Sequence, residues 1–295
     1  EIRLSLVGSE MCIRDRENIT KAAESLHMAQ PSLSTQMKEL ELKLGKKLFI
    51  RGKRKITLTE EGMLLRQRAQ EIIQLVEKTE KEISLGNDII NGEIAIGSGE
   101  TIAMSFVLDI IKKLSDEQPN IKYHLFSGDA QDIGDRLDNG LLDFGLLIEP
   151  IDLDKYNRIQ LPIHELWGLL VRKDDPLASK KYIEPKDMKT LKIIIPKRKG
   201  LQIEFTNWLS DNANIIGTYN LVHHAALMVE KGICYAFAIN DIINTRESSD
   251  LAFIPLHPNH DIKIAIVWKK YQYLSKSSRL FLDYLNHLIQ TSDKK

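Results

Sequence analysis

Between Asn18 and Gly62 the chain sets out two apolar stripes of helical spacing, a tight corner between them and then a run of cations. That order leaves few ways to fold. Ala22, Ala23 and Leu26 supply small contacts on one face of a first helix, which ends at His27-Met28. Ala29-Gln30-Pro31-Ser32 restarts the chain, with proline suited to a first helical turn, where its missing N–H costs nothing. In the second helix Leu33, Met37, Leu40 and Leu44 share a face, while Gln30, Ser32, Ser34, Thr35, Gln36 and Lys38 lie elsewhere or at its start. Short donors and acceptors without apolar bulk suit the base edges of a major groove, or equally the solvated face of an amphipathic helix.

The next residues separate these readings. Lys46, Lys47, Arg51, Lys53, Arg54 and Lys55 follow with no acidic residue between Lys43 and Thr59, and Ile56-Thr57-Leu58 then alternates like a strand. A basic hairpin beside a polar helix is an electrostatic footprint for phosphate. The chain as a whole is neutral, with 41 Lys and Arg against 41 Asp and Glu, but phosphate responds to local charge.

These residues also carry a resemblance. A-A-x-x-L at Ala22 to Leu26, Q-P-S-L-S at Gln30 to Ser34, E-x-x-L-G-x-x-L-F-x-R at Glu41 to Arg51 and L-T-x-E-G at Leu58 to Gly62 are similar, in combination and order, to the winged helix-turn-helix of LysR-type bacterial transcriptional regulators. The resemblance runs from Asn18 to about Ile289. It implies a multidomain protein: an all-α, winged helix-turn-helix DNA-binding domain, a long linker helix, and an α/β two-lobed effector domain of the type 2 periplasmic-binding-protein kind. It further implies binding to double-stranded promoter or operator DNA, self-association as a homodimer or dimer of dimers, response to a small-molecule effector and contact with RNA polymerase. The DNA contacts expected are Gln30, Pro31, Ser32, Ser34, Thr35, Gln36, Lys38, Arg51, Lys53, Arg54 and Thr57.

The first 16 residues, EIRLSLVGSEMCIRDR, depart from that pattern, because Ile2, Leu4 and Leu6 alternate like a strand, Gly8-Ser9 interrupts them and no residue is aromatic. They read as a foreign junction or as a divergent first helix. Expected boundaries are then 17–58 for the DNA-binding domain, 59–91 for a linker helix and hinge, and 92–290 for the effector domain, with lobe I at 92–161 and 266–290 and lobe II at 162–265.

In the linker, Thr59 caps a helix whose first turn holds Glu60 and Glu61 at the positive end of the helix dipole. Leu65, Ala69, Ile72, Val76 and Ile83 recur at steps of four and three, with Thr79 the polar exception. This is a short heptad seam, either between subunits or against the helix's own domain.

From Gly92 strands and helices alternate, as an α/β fold with a mostly parallel sheet requires. The strands expected are Glu93–Gly97, Ile121–Phe126, Phe144–Ile148, Trp167–Val171, Lys192–Pro196, Ile233–Ile239 and Ile262–Trp268. Helices are expected at Thr101–Asp116, Asp129–Asn139, Glu204–Ser210, Leu221–Lys231 and Lys276–Ile289.

Two lobes joined by crossing strands would enclose a cleft, the usual place for a small ligand. Gly97-Ser98-Gly99-Glu100-Thr101 links a strand to a helix, where amides converge on a bound carboxylate or simply cap the helix. Glu100 opposes an anion there and would suit an amine. From that turn Ser98, Gly99, Glu100 and Thr101 are expected as effector contacts, and by the resemblance Gly128, Asp129, Lys197 and His223 join them across the cleft. Lys197, Arg198 and Lys199 would neutralise an acid or form a solvated loop.

Gly140 to Gly145 resembles a family signature of structural use. Adjacent His223 and His224 diverge on a helix, so no metal is expected. Only Cys12 and Cys234 are present, giving neither a disulfide framework nor a metal cluster and suiting a reducing, cytoplasmic setting. No apolar run has the length of a membrane-spanning helix. No P-loop or G-x-S-x-G elbow appears, so neither an enzyme nor a cofactor is expected. The alternative is a solute-binding protein of similar sensor fold without a DNA role, which should instead carry a signal peptide and no basic wing.

Overall fold

The computed structural model describes residues 23–24, 27–51, 56–84, 92–149, 151–209, 214–258 and 261–292. It divides into two compact units at Ser84/Leu85. The readings of residues 1–16, of Ala22 and Leu26, of Lys53 and Arg54 and of the hinge at 85–91 fall outside the described residues.

In the first unit, helix α1 spans Gln30–Leu44, strands β1 and β2 are Phe49–Arg51 and Ile56–Leu58, and helix α2 is Glu60–Ser84. The corner before α1 is closed by His27 at φ 52, with His27 N–H donating to the Glu24 carbonyl and Met28 N–H to that of Ala23. This left-handed helix stop usually takes glycine. Ala29 then opens α1 with Pro31 in its first turn. Leu33, Met37 and Leu40 are buried with Ala23 and Leu48 in one small core. Leu44, expected on the same face, is 41% exposed, because Gly45 at φ 64 ends the helix there. Gly45 and Lys46 N–H groups return to the Leu42 and Glu41 carbonyls, a second left-handed stop.

A carboxylate fastens the wing to α1. Glu41 Oε1 accepts the Leu48 and Phe49 amides at 2.8 and 3.3 Å, and Lys47 Nζ donates to Oε2 at 3.3 Å. Burial would raise the Glu41 carboxyl, but these donors outweigh it and hold it below its usual range. The hairpin pairs Phe49 with Leu58 and Ile50 with Thr57 in antiparallel register. Thr59 caps α2 as expected, its hydroxyl accepting the Gly62 amide at 3.0 Å and donating to the Lys47 carbonyl at 2.7 Å. Gly62 is required there, since a Cβ would lie 2.2 Å from the Leu48 carbonyl oxygen. Along α2, Ala69 is buried while Ile72 and Ile83 are 47% and 80% exposed.

The second unit holds two mixed sheets. Sheet order in lobe I is β4-β3-β5-β13-β6, from β3 (Gly92–Ser98), β4 (Ile121–Ser127), β5 (Phe144–Ile148), β6 (Tyr156–Gln160) and β13 (Ile264–Lys269). Strand β3 is parallel to β4 and β5, whereas β13 runs antiparallel to β5 and β6. Helices α3 (Met104–Glu117) and α4 (Ala130–Asp138) connect these strands, and α7 (Lys276–Ser292) closes the chain. Lobe II is ordered β11-β7-β10-β8-β9, from β7 (Glu165–Arg172), β8 (Lys192–Pro196), β9 (Asn214–Tyr219), β10 (Tyr235–Ile239) and β11 (Leu251–Pro255). Helices α5 (Lys199–Leu209) and α6 (Val222–Glu230) belong to it, and β12 (Asp261–Ile262) pairs with β7. A continuous apolar cluster runs from Ile94 and Phe144 in one lobe to Trp167, Phe205 and Phe237 in the other.

The strand expected at Ile262–Trp268 divides at Lys263: β12 stays with lobe II and β13 returns to lobe I. Helix α5 starts at Lys199, earlier than Glu204, because Leu201, Phe205 and Leu209 recur every four residues and are all buried. Strands β6, β9 and β11 were not anticipated; β9 alternates exposed and half-buried residues along its length and so carries no strong apolar run. Gly140 at φ 72 stops α4 before the buried β5, the structural role expected of the Gly140–Gly145 group.

Candidate nucleic-acid interface and effector cavity

On α1, Gln30, Pro31, Ser32, Thr35 and Lys38 are exposed, Ser34 and Gln36 are half-buried, and Leu33, Met37 and Leu40 face the core. The polar row is therefore the outer face of a helix whose inner face is fixed. The Gln36 side-chain oxygen is buried without a hydrogen-bond partner among the described residues. Thr57 is exposed on β2, and Arg51 ends β1 opposite Ile56.

In the second unit a cavity of about 800 Å³ lies between the lobes. Gly99, Glu100, Thr101, Gly128, Asp129 and Lys197 line it, together with Trp167, Arg198, Tyr219 and Val222. Ser98 and His223 do not. Ser98 is buried at the end of β3, its hydroxyl turned to the Gly99 carbonyl at 2.7 Å, and His223 is exposed on α6.

The turn after β3 differs from its sequence reading in one respect: the helix following it does not offer open amides. Helix α3 starts at Met104, and the Ala103 amide donates to Glu165 Oε1 at 2.9 Å and to the Thr101 hydroxyl at 3.0 Å. The Thr101 hydroxyl itself donates to Glu165 Oε1 at 2.5 Å. Glu165 is fully buried at the start of β7, and its Oε2 has no hydrogen-bond partner among the described residues. Burial pushes its carboxyl above the usual range, with Asp241 adding to the rise and the Thr101, Ala103 and Ile102 donors opposing it.

Glu100 reaches the other way. Its Oε2 accepts the Val222 amide, so a lobe I carboxylate caps the N-terminus of α6 in lobe II. Helix α6 has no capping side chain of its own. On the opposite wall Arg198 Nη1 donates to the Ile148 carbonyl at 2.8 Å. Burial lowers the Arg198 guanidinium from its ordinary value, against the pull of Glu204. The Tyr219 hydroxyl donates to the Phe237 carbonyl at 2.6 Å and is pushed up by burial and by the Glu100 charge.

The acidic residues of the lobe I wall are engaged with donors of their own. Asp129 caps α4 by accepting the Gln131 and Asp132 amides, and Asp132 accepts the Asp129 amide in return. Asp135 accepts from Gln131, and Asp138 from Lys155 and Tyr156. Among the described residues no cluster of three or more His, Cys, Asp or Glu could hold a metal. Cys234 is buried beside β10, and burial raises its thiol.

Residues 88–289 match the LysR substrate binding domain, and residues 11–63 the bacterial regulatory helix-turn-helix protein, lysR family. The chain belongs to the LysR family of bacterial transcriptional regulators. The helix-turn-helix match begins at residue 11, inside the atypical opening segment. An uncharacterized HTH-type transcriptional regulator of Bacillus subtilis, YybE, is 28% identical over 91% of this chain and 93% of its own length. Another B. subtilis regulator, BsdA, is 27% identical over 92% of this chain and 96% of its own. The LysR regulator CbnR superposes with a TM-score of 0.75 at 16% identity, covering 98% of this chain and 99% of CbnR. This LysR-type regulator is thus a DNA-binding transcription factor with a C-terminal effector-binding domain. Among the described residues no helix is long and apolar enough to cross a membrane.

Sequence reasoning missed Glu41, Gly62 and Glu165. The first two sit inside the family motif, which marks their positions without giving their structural use. Glu165 carried one signal, a lone charge opening the apolar run Leu166 to Val171.

Proposed function

We propose that this regulator acts in the cytoplasm as a homodimer or dimer of dimers, setting α1 of each subunit into the major groove of operator DNA and working by binding alone, without catalysis. The observation that carries this reading is the exposed row Gln30, Ser32, Thr35 and Lys38 on the side of α1 away from Leu33, Met37 and Leu40. Gln36 and Ser34 stand beside that row. Arg51, Lys53 and Arg54 in the wing hold phosphate or reach the minor groove, and Thr57 adds a hydroxyl. Domain limits of 17–58, 59–91 and 92–290 fit this division of labour.

The exposed Ile72 and Ile83 on α2 suit a helix that pairs with its copy. Pairing presents two reading heads together, so two weak half-site contacts become one avid contact. The effector enters the cavity lined by Gly99, Thr101, Gly128 and Lys197. Its binding shifts the balance of lobe arrangements only as far as its affinities for them differ. In CbnR a structure with target DNA is known, with a TM-score of 0.73 and 16% identity to this chain, and operator binding by the present chain is proposed by that likeness of fold. Contact with RNA polymerase would follow at a promoter.

Gln36→Ala tests the reading role. It is expected to cost about 1–3 kcal/mol on operator DNA and to relax sequence preference. An equal loss on random duplex would show that Gln36 serves the fold or the phosphates instead.

A further inference from the structure

Two helices of the effector domain have their N-termini capped by carboxylates from the other lobe. Glu165, opening a lobe II strand, holds the Ala103 amide at the start of α3 in lobe I. Glu100, in a lobe I turn, holds the Val222 amide at the start of α6 in lobe II. The two caps differ in access. Glu165 is fully buried, whereas Glu100 is half-exposed and lines the cavity. One is sealed inside the joint between lobes, and the other lies where a small molecule can reach it.

We infer that Glu100 is an internal counter-ligand: it ties the lobes together across the cavity by occupying the α6 N-terminus, and a carboxylate-bearing small molecule entering the cavity displaces it. This rests on the reading of the cavity as the effector site. The chemistry of the other wall residues favours an acid over an amine. Glu100 is already engaged, and Asp129, Asp132, Asp135, Asp138 and Asp152 each hold a donor of their own segment or of a neighbour. The loop before α5, in contrast, brings Lys197, Arg198 and Lys199 to the same cavity. A ligand carboxylate that takes over the Val222 amide leaves Glu100 in a cavity that holds an added negative charge, so Glu100 turns towards solvent and the tie across the lobes is released. Arg198, tied to the Ile148 carbonyl of lobe I, is the second connection that such a ligand would draw on. Ligand entry and lobe release thereby become one event, which is what a sensor that works through domain geometry needs.

The test compares the full-length protein with E100Q and E100A, using amide hydrogen exchange and a titration with sodium acetate at constant ionic strength read by tryptophan fluorescence, Trp167 being part of the wall. Removing a charge-assisted cap is expected to speed exchange at residues 221–224 about tenfold, with the rest of the domain unchanged. The same loss of an internal competitor is expected to tighten acetate binding about tenfold, with E100A at least as tight as E100Q. Methylammonium chloride is expected to bind none of the three. Unchanged exchange in both variants would overturn the tie itself. Faster exchange with equal acetate affinity would overturn displacement, leaving a plain structural cap. If acetate binds no form while exchange rises, the effector reading of the cavity fails for carboxylates and displacement fails with it, but the tie stands. Tighter binding of methylammonium by the wild type than by E100Q would assign Glu100 to an amine and overturn the proposal.

Discussion

At Glu41 one side chain does what the family motif alone leaves unexplained. Its carboxylate accepts two wing amides and the Lys47 ammonium, so it fixes the start of the hairpin on the end of α1. Because its folded carboxyl lies below the ordinary value of 4.5, the stability it contributes is present above that value and lost as pH falls through the folded one. Glu41→Gln is expected to cost about 1–3 kcal/mol at neutral pH in urea unfolding, and the gap from the wild type should narrow on acidification below 4.5. A gap independent of pH would assign the loss to packing. Gly62 makes a second case. A methyl group there meets the Leu48 carbonyl oxygen at 2.2 Å, and that atom belongs to backbone that cannot swing away. Gly62→Ala should therefore destabilise the first unit by about 1–3 kcal/mol although alanine is the better helix former. Thermal unfolding that stays unchanged would mean that α2 shifts freely against the wing.

Among the elements, α2 carries the most consequential exposed surface. Ala69 is buried and Val76 half-buried, yet Ile72 and Ile83 of the same seam are open to solvent in the single chain. Ile72→Glu with Ile83→Glu is expected to shift the protein to monomer in sedimentation velocity at micromolar concentration while far-ultraviolet circular dichroism is retained. A variant that stays oligomeric would move the interface elsewhere. In the second unit the alternation of strand and helix was legible because β5 and β8 are runs of buried apolar residues. Helix α6 was equally plain, since Val222, Ala225, Ala226 and Val229 keep helical spacing. Strand β6 was not, because Tyr156 is its only fully buried residue and Asn157, Arg158 and Gln160 make it read as a loop. It is a strand because β13 beside it supplies the ladder partners from residues more than a hundred positions away.

For the whole molecule, neutrality of charge hides a division between the basic wing and the more acidic remainder, and DNA binding is expected to weaken steeply with salt. Arg54→Ala should lower affinity alike for operator and random duplex, and reduce the slope of log affinity against log salt by roughly 0.9, the share of one neutralised phosphate. A slope that does not change would remove Arg54 from the interface. The sequence by itself determined the helix-turn-helix and the α/β character of the sensor, because both are written in local spacing: helical stripes, a proline restart, cations without acids, and alternating apolar runs. The family came from the resemblance of its motifs between Ala22 and Gly62. What only the tertiary structure decided is where the charged side chains of the sensor spend their hydrogen bonds. Glu100 and Glu165 stand 65 residues apart, and each caps a helix of the opposite lobe. Those partnerships depend on how two sheets meet, and no periodicity within either segment encodes that meeting.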